Sequence, residues 1–232
     1  MANCKIKAPF FEIGPKSYLF GDEILELALA ADKASEKYDV DIIFTCPVVD
    51  IRRVAEATKR IHVFAPHMDP IVPGRGLADI LPESLVAAGA EGVMLNHVEK
   101  PLEYDVLAET IKRADEVGLT TIVCADSMAD ASKIAELHPD IIVAEPSELI
   151  GTGVSVGPEY VAAATESVKK VDEKILVLTA AGIAGGEDVY NTIAAGADAT
   201  GSSSGVAKAA DRPAMVDEMI AACRKAWDEK HS

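Results

Sequence analysis

Aromatic residues are scarce in this 232-residue chain, 5% against 49% hydrophobic residues in all, so a core has to be filled by Ala, Val, Ile and Leu. That palette favours parallel strands buried on both faces over a sheet with one wet face. Basic residues are also few, with 22 Lys+Arg against 38 Asp+Glu and a formal charge of -16. A surface of that sign opposes non-specific binding to nucleic acid or an anionic membrane. An anionic substrate would then have to be held by local backbone amides, with a lysine to help. The four cysteines, Cys4, Cys46, Cys124 and Cys223, form no CxxC pair, and the expectation is neither a disulfide nor a metal site. No apolar run is long enough to span a bilayer, and no charged-then-apolar leader opens the chain. These absences predict a cytoplasmic protein with no nucleic-acid, membrane or metal partner.

Linkers, composition shifts and low-complexity tracts are absent too. The length allows either one domain or two small ones, and without a linker the expectation is one domain over 1–232. What the sequence does contain is alternation. Short β-branched runs recur every 25 to 30 residues or so, separated by stretches with helical spacing, which is the mark of repeated βα units. Strands are predicted at Pro9–Ile13, Asp41–Cys46, His62–Ala65, Gly92–Leu95, Thr120–Ala125, Ile141–Ala144, Ile175–Thr179 and Ala197–Gly201. Helical segments between them include Glu23–Lys37, Val48–Thr58, Leu102–Val117, Ala129–Leu137, Glu159–Val171, Glu187–Ala195 and Pro213–Lys225, and several end at glycines 89, 118 and 196. Eight such units predict an α/β fold, a single (β/α)8 barrel. An open doubly wound sheet is the rival, but it usually carries a GxGxxG turn after its first strand, and here Gly14-Pro15-Lys16-Ser17-Tyr18 follows.

In a (β/α)8 barrel the working residues stand at the carboxyl ends of the strands and in the loops after them. Lys16 follows the first strand, Asn96-His97-Val98-Glu99 the fourth, Glu145 and a segment through Gly153 the sixth, Ala181-Gly182 the seventh, and Gly201-Ser202 the eighth. A carboxylate, an imidazole, an ammonium and small-residue loops at one mouth suit proton abstraction next to a carbonyl, with the phosphate held by loop amides. Singly, each signal is ordinary, because a histidine after a strand is commonly structural and a lysine commonly solvated. Glu145 is the least ordinary: a carboxylate closing an apolar strand has lost water and needs a reason to be there.

Taken together these segments resemble the triosephosphate isomerase family, and the compact archaeal branch most. Glu145-Pro-x-x-x-Ile-Gly-Thr-Gly153 resembles its phosphate-gripping loop, Leu95-Asn96-His97-x-Glu99 its histidine segment, and Ile13-Gly14-Pro15-Lys16-Ser17-Tyr18 its first loop. The resemblance implies an aldose–ketose isomerase that interconverts dihydroxyacetone phosphate and glyceraldehyde 3-phosphate through an enediolate, with no cofactor. It implies Glu145 as base, His97 as neutral electrophile and Lys16 as local positive charge; the family is itself a standard example of a Glu base paired with a neutral His. It also implies Gly151, Gly182, Gly201 and Ser202 as phosphate ligands, Asn96 and Glu99 as supporting residues, and a homodimer or homotetramer.

Three positions depart from the family's usual pattern: Gly14 where Asn is usual, Val98 where Ser is usual, and Leu77-Ala78 where a Thr-Gly pair is usual. They leave open an isomerase of a longer phosphosugar such as a tetrulose phosphate, a lysine-dependent aldolase using Lys16, and a non-catalytic phosphosugar-binding barrel.

Overall fold

β-branched and aliphatic runs that expose neither face are stable only where neighbours cover both, and here they form the staves of a barrel. A computed structural model describes residues 4–146, 149, 152 and 156–232. Strands β1 (Phe10–Ile13), β2 (Asp41–Thr45), β3 (His62–Ala65), β4 (Gly92–Leu95), β5 (Thr120–Ala125), β6 (Ile141–Ala144), β7 (Leu176–Thr179) and β8 (Ala199–Ser202) follow in order around a closed barrel. All neighbours are parallel, and β1 closes the circle by pairing with β8, Phe10 beside Ala199 and Glu12 beside Gly201.

Period-two alternation divides the core into two shells. Phe10, Ile43, Phe64, Ile122, Cys124, Ile141, Val143, Leu178 and Ala199 fill the interior of the barrel. A larger shell lies between the strands and the helices, where Ile42, Phe44, Val63, Val93, Val123, Ile142 and Val177 meet the helical apolar faces. With so few aromatics, Phe10 and Phe64 take much of the interior volume, and a side chain on Gly92 would run into the Phe64 ring.

The outer layer comprises α1 (Asp22–Tyr38), α2 (Ile51–Ala57), α3 (Pro82–Ala88), α4 (Tyr104–Val117), α5 (Met128–Ala135), α6 (Pro158–Lys169), α7 (Gly186–Ala195), α8 (Ser204–Ala207) and α9 (Arg212–His231). Gly89, Gly118 and Gly196 end their helices at φ 97°, 80° and 119°, the left-handed conformation expected of such stops. Sequence pattern misses α3 and α8, which run only seven and four residues and so show too little of the helical period. Among the described residues no helix is long and apolar enough to cross a membrane.

Candidate active site

Because all eight strands run the same way, their carboxyl ends and the loops that leave them share one mouth. A cavity of about 720 Å3 opens there, and Lys16, His97, Glu99, Glu145, Gly182, Gly201 and Ser202 all line it. Seven residues from five separate loops and strand ends therefore share one mouth. Gly151 lies outside the described residues.

Lys16 follows β1 in a left-handed conformation, φ 48°, and its Nζ lies 2.9 Å from Glu99 Oε1. That bond holds Glu99 below the usual carboxylate range. Glu99 also positions the imidazole, because its backbone N–H donates to His97 Nδ1 at 3.1 Å. A ring nitrogen that accepts carries no proton, so the neutral ring has its hydrogen on Nε2. Burial, and then the charge of Lys16, push His97 below the ordinary histidine value and so favour that neutral form.

Asn96 does not line the cavity and acts through its neighbour. It holds φ 57°, donates its amide to the Cys124 carbonyl at 3.0 Å and accepts the Leu102 N–H at 2.9 Å. One side chain thus ties the end of β4 to β5 and to the approach of α4, and fixes the peptide that carries His97. Asn is among the few non-glycine residues that adopt this conformation readily.

Glu145 is the residue just past β6, its N–H donating to the Ala125 carbonyl at 3.1 Å. Burial raises its carboxyl to about 7, Lys16 opposes the rise and Asp126 adds to it. A carboxyl poised near neutrality can accept and return a proton under the same conditions.

The phosphate side differs in detail from the expectation. Ala181 and Gly182 are both left-handed, at φ 96° and 68°, which turns the chain sharply after β7. At the start of α7 two amides are already taken, since Gly186 N–H donates to Glu218 Oε1 at 2.8 Å and Ala184 N–H to Asp188 Oδ2 at 2.9 Å. The hydroxyl of Ser202 is likewise committed, donating to the Ile183 carbonyl at 2.9 Å, while Ser203 donates to the Gly14 carbonyl at 2.6 Å. Gly201 lies within β8 rather than in the loop. What stays available is backbone: the Gly182 turn and the first amides of α8, which have no partner within the helix itself. Gly205 allows the two loops to meet, because a Cβ there would stand 2.5 Å from the Ile183 carbonyl oxygen and 2.6 Å from Ser202 Oγ.

Sequence reasoning misses Glu12 and Thr45, both of which line the cavity, whereas Ser203 and Gly205 belong to the loop after β8 that it places at the mouth. For Glu12 the signal was present, a single charge inside the apolar run Phe10–Ile13 on the same face as Phe10. Of the three departures from the family pattern only Gly14 lines the cavity; Val98 stands outside it and Leu77 is fully exposed at the tip of the 66–80 loop. Among the described residues no group of three or more His, Cys, Asp or Glu gathers as a metal site.

A closed (β/α)8 barrel with a carboxyl, an imidazole and an ammonium in one mouth has the architecture of an acid–base barrel enzyme. Residues 16–222 match the family model for triosephosphate isomerase. The chain is 36% identical to the triosephosphate isomerase of Saccharolobus solfataricus over 226 residues, covering 95% of this chain and 99% of the relative. It is 36% identical to that of Sulfurisphaera tokodaii over 230 residues, 97% and 100% of the two chains, and 36% to that of Methanocaldococcus jannaschii over 203 residues, 86% and 92%. The chain belongs to the triosephosphate isomerase family and is an isomerase.

Proposed function

We propose that the protein interconverts dihydroxyacetone phosphate and glyceraldehyde 3-phosphate through an enediolate. The observation that carries this reading is the pairing, in one cavity, of a buried carboxyl raised to about 7 with an imidazole whose Nδ1 accepts a backbone N–H. Glu145 removes the proton from the carbon next to the carbonyl. His97 Nε2–H donates to the carbonyl oxygen, and the Lys16 ammonium stabilises the charge that grows there. Glu145 then returns the proton to the former carbonyl carbon, while His97 Nε2 gives its hydrogen to that carbon's oxygen and takes the one from the neighbouring hydroxyl, so the hydrogens balance with no redox partner. The phosphate sits on backbone amides of the Gly182 turn and the start of α8, and Lys16 offsets its charge. Asn96 and Glu99 act on this set by positioning His97 and Lys16.

A longer phosphosugar, such as a tetrulose phosphate, is a second reading. The cavity of about 720 Å3 has room for it. Comparing kcat/KM for glyceraldehyde 3-phosphate and a tetrulose phosphate separates the two, and no turnover of either overturns both. Phosphoglycolate, a planar enediolate mimic, is expected to raise the melting temperature. We also propose that the protein forms a homo-oligomer through the 66–80 loop. Its base is pinned by Asp69, which accepts the Ile80 N–H at 2.6 Å, and by Arg113, which donates to the Ile71 carbonyl at 3.0 Å. Its tip presents Val72 and Leu77 to solvent, 63% and 102% exposed. Leu77→Asp is expected to shift the mass seen by light scattering toward the monomer, and an unchanged mass rejects the assembly through this loop.

A further inference from the structure

The floor of the cavity holds a carboxyl group that the proton-transfer scheme does not use. Glu12 points into the barrel one layer above Phe10, at the level of Thr45 and Cys124, and is 8% exposed. Thr45 Oγ1 donates to its Oε1 at 2.5 Å. Among the described residues no donor reaches its second oxygen, Oε2, although the side chain lines the cavity.

The surroundings are cut to fit this group. A Cβ on Gly14 would stand 2.9 Å from Glu12 Oε1, and a Cβ on Gly201 would stand 3.0 Å from Glu12 Cβ and 3.2 Å from Oε2. Neither glycine lies in the left-handed region. At Gly201 the nearest atom to such a Cβ is the Glu12 backbone oxygen at 2.9 Å, so the strand contact alone calls for glycine there; at Gly14 every near atom belongs to the carboxyl group, and it is the space for the carboxyl that a side chain would take. A residue whose only role was to fill the barrel would be aliphatic, as Ile43, Ile122 and Val143 are in the same interior. Burying a carboxyl costs stability unless something uses it. Burial, the largest effect, raises it to about 7 against the Thr45 bond; Glu145 raises it further and Lys16 lowers it.

We propose that Glu12 is a substrate-binding residue, whose carboxyl hydrogen-bonds a hydroxyl of the sugar portion of the phosphosugar from beneath. This rests on reading the cavity as a phosphosugar site. The phosphate itself is excluded as the partner, because an ionised carboxyl repels it. A polyol carbon chain supplies the donors that Oε2 lacks. The second carboxyl in the site therefore selects for hydroxyls, whereas Glu145 moves the proton.

The test compares two ligands that do not react, inorganic phosphate and glycerol 3-phosphate, by calorimetry. The main comparison uses wild type, Glu12→Gln, and Glu12→Leu combined with Thr45→Val so that no hydroxyl is left unpaired. A hydrogen bond to a charged group is lost in the double variant, so glycerol 3-phosphate is expected to bind about 10- to 100-fold more weakly while inorganic phosphate stays within about twofold. Glu12→Gln keeps the shape and weakens the acceptor, and about a threefold or greater loss confined to glycerol 3-phosphate is expected. That variant decides the matter if the double variant fails to fold. Gly14→Ala pushes the carboxyl aside and should weaken glycerol 3-phosphate in wild type but not in the double variant, a coupling that a merely structural glutamate would not show. An unchanged ratio of the two affinities, or equal loss of both, overturns the role of Glu12 alone. If wild type binds neither ligand, the phosphosugar reading falls and takes this proposal with it.

Discussion

The two ends of the barrel treat ionisable side chains in opposite ways. At the amino ends of the strands carboxylates are matched. Asp32 Oδ1 accepts the N–H groups of Lys59, Arg60 and Ile61 at 2.9, 2.7 and 3.1 Å, and Asp198 Oδ2 accepts that of Val177 at 2.9 Å and the Lys169 ammonium at 2.9 Å. His62 stands between Asp41 and Glu91, 4.0 and 3.2 Å away; burial pulls its value down, but the two carboxylates outweigh this and hold it at about 9. At the carboxyl ends Glu12 and Glu145 are buried with little to stabilise their charge, and both rise to about 7. One end holds charge in place to secure strand starts. The other leaves charge costly, and a group whose charge is costly at neutral pH gives and takes protons readily.

The largest effect comes from removing that costly charge. Glu145→Gln keeps the shape and cannot accept a proton, so turnover of glyceraldehyde 3-phosphate should fall about 100- to 10,000-fold. Retention of more than about a tenth of the activity would remove Glu145 from the mechanism. In wild type, kcat/KM should climb with pH through about 7 as Glu145 ionises. Because His97 is held below its ordinary value, its neutral form persists across the alkaline side. The same substitution should stabilise the fold in a particular window. A carboxyl raised from 4.5 to about 7 contributes stability that is fully present below about 4.5 and is lost as pH rises through about 7. Glu145→Gln should therefore raise the melting temperature at pH 8 and change it little at pH 4.5; equal shifts at both would contradict the account of the mouth.

How much of this was legible in advance depended on the scale of the feature. Strand boundaries at His62–Ala65, Gly92–Leu95, Thr120–Ala125 and Ile141–Ala144 follow from runs of β-branched residues bounded by polar ones, a purely local property. Lys16, His97 and Glu145 were readable because barrel order assigns strand ends to one mouth. Glu12 shows in the sequence only as a lone charge in an apolar strand, because its significance depends on Gly14 leaving room for it and on Thr45, 33 residues away, bonding it. The availability of the helix start after Gly185 also depended on distance in sequence. Nothing near Gly186 announces that Glu218 of α9 takes its amide.

The opposite end of the barrel can be tested by stability alone. His62 has a folded value of about 9 against 6.5, so its contribution is fully present below about 6.5 and is lost as pH rises through about 9. The mouth carboxyls, half ionised at about pH 7, are about nine-tenths ionised by about pH 8, which leaves the interval from about 8 to 9 to report His62. Wild type should lose on the order of 1 kcal/mol across that interval, allowing for solvent at the partly exposed pair. His62→Gln should flatten the slope there and leave turnover untouched. A slope that survives the substitution would show that another group governs it.

The smallest expected effect lies at Ala181, on the mouth side. A residue with a Cβ at φ 96° is strained, by about 1–3 kcal/mol for such conformations, and Ala181 is 3% exposed, so its neighbours hold it there. Glycine would remove the strain and add roughly 0.5–1 kcal/mol of unfolded-chain entropy to be lost on folding. Ala181→Gly should on balance stabilise by about 1 kcal/mol, a rise of roughly 2–4 °C for a chain of this size. The strain also fixes the turn that aims the Gly182 amide, and strained residues gather at sites where geometry matters more than stability. If that is its role here, the stabilised variant should bind inorganic phosphate more weakly, by a few-fold, because the amide must be ordered at each binding event. A variant that gains stability and binds phosphate as tightly as wild type would assign the strain to the packing of Ala181 beneath the mouth and remove it from the phosphate site.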